Sequence, residues 1–191
     1  MWENGILCPE EKKMKQKIVI VSHCFFNDAS KLSHQNREEQ EAERKEKRIF
    51  LQKLLQQGAE IMQLPCPEFL LYGSRRWGHA SSQFDTPFFR KECEKMLEPF
   101  VMQWKEYSAF PDRFEIIGIV GIDGSPSCGI NATYDGDWGG EFQDMDRVKK
   151  AVGTLKRKER SGIFMEVLKE MMEKEELYIP MYSMKTFPEF V

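Results

Sequence analysis

The sequence predicts an α/β fold: an open, mostly parallel sheet of about four to five strands with helices on both faces, in a Rossmann-like three-layer arrangement. Short apolar runs rich in β-branched residues alternate with helix-length segments, which is the pattern of β–α–β units. The length of 191 residues and the hydrophobic content of 41% suit a single core. We therefore expect one domain over residues 1–191, in which residues 1–16 form a polar N-terminal arm.

Four segments have the composition of β-strands. Residues 17–23 read KIVIVSH, and their four consecutive β-branched residues predict a buried parallel strand. Residues 59–64 predict a second strand, and residues 114–122 (FEIIGIVGI) predict the clearest strand of the chain. Residues 177–182 predict the last strand, and Pro180 places it at an edge because proline cannot donate to a central ladder.

Helix patterns separate these strands. Residues 37–57 predict a long helix with a charged first half and an apolar stripe in its second half, and Gly58 is a good stop. Residues 88–107 carry apolar side chains at three- and four-residue steps. Two more helices are predicted, one at residues 144–150 and one that runs from a capping Ser161 to Glu175.

Three segments have no such pattern. Residues 68–87 predict a functional loop or lid that can contain short helical turns. Residues 130–140 are rich in glycine and aromatic residues and predict irregular structure. Residues 156–160 are a run of charges, which predicts a solvated surface.

Charge and hydropathy argue against several partners. The chain has 28 lysines and arginines against 31 aspartates and glutamates, a net charge of −3, so binding to bulk nucleic acid is not expected. No apolar run reaches the roughly 18 residues of a transmembrane helix. The first 17 residues lack the apolar stretch of a secretory signal. We expect a cytoplasmic protein that is a monomer or homodimer.

The five cysteines are widely spaced and form no CxxC pair. Their odd number and spacing argue against a disulfide framework, a zinc ribbon and a thioredoxin-type motif. Cys93 lies in the middle of a predicted helix and is interpreted as a small buried hydrophobe. Cys8 lies in the polar arm, where no sheet geometry positions it.

Cys24, Cys66 and Cys128 each follow the carboxyl end of a predicted strand. In a parallel sheet these ends lie along one edge, and neighbouring strands are about 4.8 Å apart. The three thiols can therefore meet within roughly 10 Å, the scale of one small metal site. Three thiolates leave one position open on either a zinc ion or an iron–sulfur cluster, and the H-x-E and P-C-x-x-C motifs of zinc deaminases are absent.

Four short motifs, in this order, resemble those of the thiouracil desulfurases (TudS) and related desulfidases. They are S-x-C at Ser22 and Cys24, C-P-E at residues 66–68, G-S-P-S-C-G at residues 124–129 and Y-D-G at residues 134–136. The resemblance covers residues 18–136, over half of the chain. After the first cysteine the family usually has small aliphatic residues. Here Phe25, Phe26 and Asn27 follow it, a difference that bears on the substrate.

The resemblance implies a desulfidase-like domain with a [4Fe-4S] cluster on Cys24, Cys66 and Cys128. It further implies that the iron without a cysteine ligand takes the sulfur of a thiolated nucleobase, a nucleoside or a related small thiocarbonyl compound. Water would then replace that sulfur, which leaves as sulfide without net redox change.

Glu68 is the best-placed carboxylate to manage the proton of the attacking water, although an acid at a helix start also has a structural role. Ser125 is the preferred orienting hydroxyl over Ser127, and both also suit turn chemistry. Asp123 is a weaker acid–base candidate. His23 is interpreted as a packing histidine that points away from the cysteines.

Aromatic and basic residues of the irregular segments are further candidates. Trp77, His79 and Trp138 can stack on a planar base, and Arg75 and Arg76 can meet a phosphate, although loop packing and solvation explain them equally well. Two other functions stay open: a zinc hydrolase that uses the same three cysteines, and a non-catalytic iron–sulfur or sulfide-binding module.

Overall fold

The computed structural model describes residues 14–33 and 36–188. Cys8 and most of the predicted polar arm therefore lie outside the described residues. The main sheet has four parallel strands in the order β2-β1-β3-β6, formed by Gln16–Val21 (β1), Glu60–Gln63 (β2), Phe114–Gly121 (β3) and Met181–Ser183 (β6). The predicted parallel α/β fold is confirmed, and the strand that follows Pro180 is an edge strand.

The alternation of side chains along the strands builds the three layers. Val19 and Val21 of β1 face one side of the sheet, where they pack with Leu51 and Leu54. Ile20 faces the other side. There it belongs to the larger core cluster, whose fully buried members include Phe84, Leu97, Trp104 and Phe164.

The helices on these two faces start at recognisable caps. Arg37–Gln56 (α1) begins after Asn36, whose side chain accepts a hydrogen bond from the Glu39 amide at 3.2 Å. Pro87–Ser108 (α4) begins after Thr86, which caps the Phe89 amide at 3.2 Å. Ile163–Lys174 (α6) follows Gly162. The predicted cap at Ser161 is wrong, because its hydroxyl instead donates to the Ile130 carbonyl at 2.8 Å.

The predicted loop at residues 68–87 contains two short helices, Pro67–Tyr72 (α2) and Ser81–Phe84 (α3). The predicted helix at residues 144–150 is observed as Met145–Thr154 (α5), capped by the Asp144 side chain.

Two strands were not predicted. Thr133–Asp135 (β4) pairs antiparallel with Lys156–Lys158 (β5), so part of the charged run is a strand, although all three of its residues are exposed. Among the described residues, no helix combines the length and the apolar character needed to cross a membrane.

Candidate active site

Three strand ends of the main sheet carry the three predicted cysteines to one cavity. Cys24 lies in a one-turn 3₁₀ helix after β1, Cys66 is the N-cap of α2, and Cys128 lies in the loop after β3. All three line a cavity of about 400 Å³ at the carboxyl edge of the sheet. Cys93 does not line this cavity and is fully buried in α4.

The loop that carries Cys128 is fixed at both ends. The Cys128 carbonyl accepts from the Ile122 amide at 3.0 Å, which folds the loop back onto the end of β3. The first turn of α6 donates to the loop as well, since the Ile163 amide binds the Pro126 carbonyl at 3.1 Å. A Cβ on Gly162 would lie 2.5 Å from the Ser127 carbonyl group, so this close approach requires glycine.

Burial affects all three thiols: Cys128 is buried, and Cys24 and Cys66 are partly buried. Burial raises the pKa of the Cys24 thiol to about 11, and the positive charge of Lys47 opposes that rise. Burial raises the pKa of Cys128 well above its ordinary value, against a hydrogen bond from Ser127 and with help from the negative charges of Cys24 and Cys66. Burial also raises the pKa of Cys66. Burial therefore opposes ionisation of all three thiols, and a nearby positive charge favours their thiolate forms.

The sulfur atoms accept hydrogen bonds as metal-bound thiolates do. The Phe69 amide donates to Sγ of Cys66, and the Ser127 hydroxyl lies within hydrogen-bond distance of Sγ of Cys128, both at 3.4 Å. Across residues 14–33 and 36–188, no group of three or more histidine, cysteine, aspartate and glutamate side chains is close enough to hold one metal ion.

Glu68 lies on the same cavity as the cysteines. It is only 8% exposed, and the Ser127 hydroxyl donates to its Oε1 at 2.6 Å. Nε of Arg76 donates to Oε2 at 3.3 Å. The other two guanidinium nitrogens of Arg76 donate to the carbonyls of Gly73 and Ser30, at 2.9 and 2.8 Å. The Arg76 side chain is therefore buried, and each of its three guanidinium nitrogens donates a hydrogen bond. It fixes the orientation of the Glu68 carboxylate.

Ser125 and Asp123 line the cavity, but their side chains are used by the loop. Oγ of Ser125 accepts from the Cys128 amide at 3.0 Å and lies 3.3 Å from Oγ of Ser127. Oδ1 of Asp123 accepts from the amides of Ile130 and Asn131, at 3.2 and 2.9 Å. The structure thus places Ser127, rather than the preferred Ser125, in contact with Glu68.

A charge network that the sequence did not single out lies beside Cys24. Lys47 of α1 is only 1% exposed and pairs with Asp28, and also with Glu43 at 3.3 Å. Lys31 binds Glu43 at 2.5 Å, and both line the thiol cavity. Lys47 stands one and two helical turns before Leu51 and Leu54, so a lysine on the apolar stripe was the available signal.

The remaining candidates lie in two places. His23 lines the thiol cavity, where Gln63 Nε2 lies 3.2 Å from its Nδ1. Trp77, His79 and Trp138 line a separate cavity of about 210 Å³, and the Trp138 indole donates to the Gly78 carbonyl at 2.9 Å. The structure therefore does not bring these aromatic rings to the cysteines.

Comparison with known proteins gives one informative relative. An uncharacterized protein of Methanocaldococcus jannaschii is 28% identical over 161 residues, which cover 83% of this chain and 98% of the archaeal protein. No family model matches the chain, and no solved structure matches it. The similarity thus extends over nearly the whole archaeal protein.

Proposed function

We propose that this protein is a desulfidase that removes sulfur, as sulfide, from a thiolated nucleobase or a related small thiocarbonyl compound. Cys24, Cys66 and Cys128 would hold a [4Fe-4S] cluster. One observation carries the proposal: three thiols and a buried, hydrogen-bonded carboxylate line the same cavity at the carboxyl edge of a parallel sheet. Free thiols and such a cluster suit the reducing cytoplasm.

The cluster, when bound, supplies a thiophilic, Lewis-acidic iron without a protein ligand, which suits the sulfur of a C=S group. In the overall reaction the C=S compound and water give the C=O compound, hydrosulfide and one proton: water supplies the oxygen, one of its protons leaves on the hydrosulfide, and the other is released to solvent. No electrons are gained or lost. The protein therefore has to position water and move one proton.

Glu68 is the group that moves this proton. Its two carboxylate oxygens each accept one hydrogen bond from the protein, from Ser127 and Arg76, which leaves a lone pair on each oxygen for water. The Arg76 guanidinium keeps the carboxylate in one orientation, because all of its nitrogens are hydrogen-bonded to fixed groups. The ordered carboxylate can take a proton from the attacking water and return it to the leaving sulfur.

Two other functions use the same residues. A zinc hydrolase would use the three thiolates as ligands of one ion and leave its fourth position to water. A non-catalytic iron–sulfur or sulfide-binding module would use the thiols but not the carboxylate. The buried contact between Glu68 and Ser127 favours a catalytic site over such a module.

Anaerobic reconstitution with iron and sulfide tests the proposal. We expect a brown protein with about four irons per chain that releases sulfide from a thiouracil. Replacing Cys24, Cys66 or Cys128 by alanine should remove the cluster, whereas Cys93→Ala, a change at a buried cysteine outside the cavity, should keep it. A colourless protein with one zinc per chain, or an active Cys128→Ala variant, would refute the assignment.

A further inference from the structure

A concentration of positive charge lies on residues 147–158, which run from α5 into β5 and are called the α5–β5 segment. Between residues 147 and 158 the chain carries six lysines and arginines and no acidic residue, and all six are exposed. Of these six, Lys149 alone has a carboxylate of the described residues within ion-pair distance, that of Asp146 at 3.6 Å. The six residues are Arg147, Lys149, Lys150, Lys156, Arg157 and Lys158.

The rest of the described structure does not cover the α5–β5 segment. No residue of α5 or β5 is buried. Acidic residues border this surface: Asp146 and Glu159 flank it in sequence, and Asp135 pairs with Lys156 across the ribbon. Within the described part of the chain, five of the six cations nevertheless have no carboxylate within ion-pair distance, and such exposed cations attract a polyanion. The expectation of no binding to bulk nucleic acid was drawn from the net charge of −3, which averages over the whole surface.

Aromatic rings lie next to the cations. Arg147 lines the 210 Å³ cavity together with Trp77, Trp138 and Phe142. Trp77 is 71% exposed and Phe142 56%, with their ring centroids 5.8 Å apart. Two adjacent exposed rings offer an apolar surface on which a planar ligand can stack.

The β5 end of the α5–β5 segment lies beside a cavity that adjoins the thiol cavity. Arg157 pairs with Tyr134 across the β4–β5 ribbon, so the two side chains lie on the same face. Tyr134 lines both the thiol cavity and an adjoining cavity whose wall includes Arg157 and Lys185 together with the carboxylates of Glu43, Glu46 and Asp123. The cations therefore extend from the aromatic pocket to the edge of the proposed active site.

We propose that the α5–β5 segment and the Trp77–Phe142 pair form a binding surface for single-stranded nucleic acid. The cations would contact successive phosphates, and the exposed rings would stack on unpaired bases, which a duplex does not offer. Charge complementarity explains why the α5–β5 segment would bind a polyanion. The aromatic pocket selects a single strand over other polyanions. Binding is measured with RNA that contains no sulfur, so its outcome is independent of the proposed desulfidase activity.

Fluorescence anisotropy of the full chain with a labelled single-stranded RNA of about twelve nucleotides tests this surface. We expect binding that weakens as salt rises from roughly 50 to 200 mM. The triple variant Lys156→Gln, Arg157→Gln, Lys158→Gln should bind at least about tenfold more weakly, and its log–log salt slope should fall by about 2 because three phosphate contacts are lost. Trp77→Ala should weaken binding roughly tenfold without changing the slope, since stacking releases no counterions.

The control removes the same charge from another surface. Lys91→Gln, Lys95→Gln, Lys174→Gln takes three cations from the groove between α4 and α6 and should bind RNA like the parent. Absence of RNA binding at 50 mM salt, an equal loss in both triple variants, or equal affinity for duplex and single strand would overturn the proposal. Stronger binding to anionic phospholipid vesicles than to RNA would overturn the proposal and show that the α5–β5 segment binds a membrane surface instead.

Discussion

The hydroxyl of Ser127 donates to Oε1 of Glu68 across 2.6 Å, although the two residues are 59 positions apart in the chain. Ser127 precedes Cys128 in the loop after β3, and Glu68 follows Cys66 by two residues at the start of α2. The contact therefore ties the two cysteine-bearing segments together and fixes the carboxylate beside both thiols. In the proposed function, the loops that hold the cluster also position the acid–base group.

Ser127→Ala should slow turnover about tenfold and leave the iron content unchanged, because Oε1 of Glu68 loses its only protein donor on that side. Initial rates of sulfide release, measured with the iron content of the same sample, check this. Ser125→Ala should act in the same direction but more mildly, since Oγ of Ser125 binds the Cys128 amide rather than Glu68. If Ser125→Ala is the slower enzyme, the hydroxyl chosen from sequence is the catalytic one.

The parallel sheet could be predicted because the carboxyl halves of its central strands, β1 and β3, are buried on both faces and so appear as apolar runs rich in β-branched residues. The β4–β5 ribbon could not. Lys156–Lys158 has no apolar side chain, and its backbone pairing with Thr133–Asp135 leaves no periodic pattern in the sequence.

The common cavity of Cys24, Cys66 and Cys128 could be expected from topology, since parallel strands end at one edge. The contacts within that cavity could not. Arg76 reaches Glu68, Gly73 and Ser30 only after β1 and β2 are paired, so a sequence shows it merely as one of two loop arginines. Lys47 carried a signal, its place on the apolar stripe of α1, that its charged neighbours obscured.

Lys47→Met should lower the free energy of unfolding by about 3 kcal/mol at pH 7, because it leaves the carboxylate of Asp28 partly buried without its main partner. Burial by itself raises the pKa of Asp28, but the hydrogen bond and charge of Lys47, aided by Arg44, outweigh it and hold that pKa below its ordinary value. A lowered pKa means that the stabilisation is present above the ordinary value of about 4 and is lost as the pH falls through the folded-state pKa.

Urea denaturation at neutral pH and near pH 3 measures both effects of Lys47→Met. The parent should lose stability on acidification more steeply than the variant, which has already lost the pair. Lys105→Met, a change in the exposed pair with Glu175, should cost no more than about 0.5 kcal/mol. Equal losses in the two variants would show that the buried network adds nothing to a surface ion pair.

Gly121→Ala should disturb the Cys128 loop. A Cβ on Gly121 would overlap the Cys128 carbonyl oxygen and would lie 2.7 Å from Cγ1 of Ile130. Because backbone cannot yield as a flexible side chain can, we expect about 2 kcal/mol of destabilisation and a lower iron content after reconstitution. Gly153→Ala is the matched control: nothing lies within 4 Å of its Cβ position in α5, so it should be neutral or stabilising by about 0.5 kcal/mol. A Gly121→Ala protein with full iron content would show that the loop can shift without losing the site.

Glu68→Gln separates the catalyst from the ligands. Glutamine nearly matches glutamate in shape and can still accept from Ser127, but it cannot take a proton at neutral pH. We expect the colour and iron content of the parent and a turnover lower by roughly 10²-fold or more. Asp123→Asn is the matched change in another carboxylate of the cavity, and it should reduce turnover far less, because Asp123 is occupied by the amides of Ile130 and Asn131. Undiminished sulfide release by Glu68→Gln together with loss in Asp123→Asn would move the proton transfer to Asp123. Undiminished release by both variants would remove Glu68 and Asp123 from the mechanism.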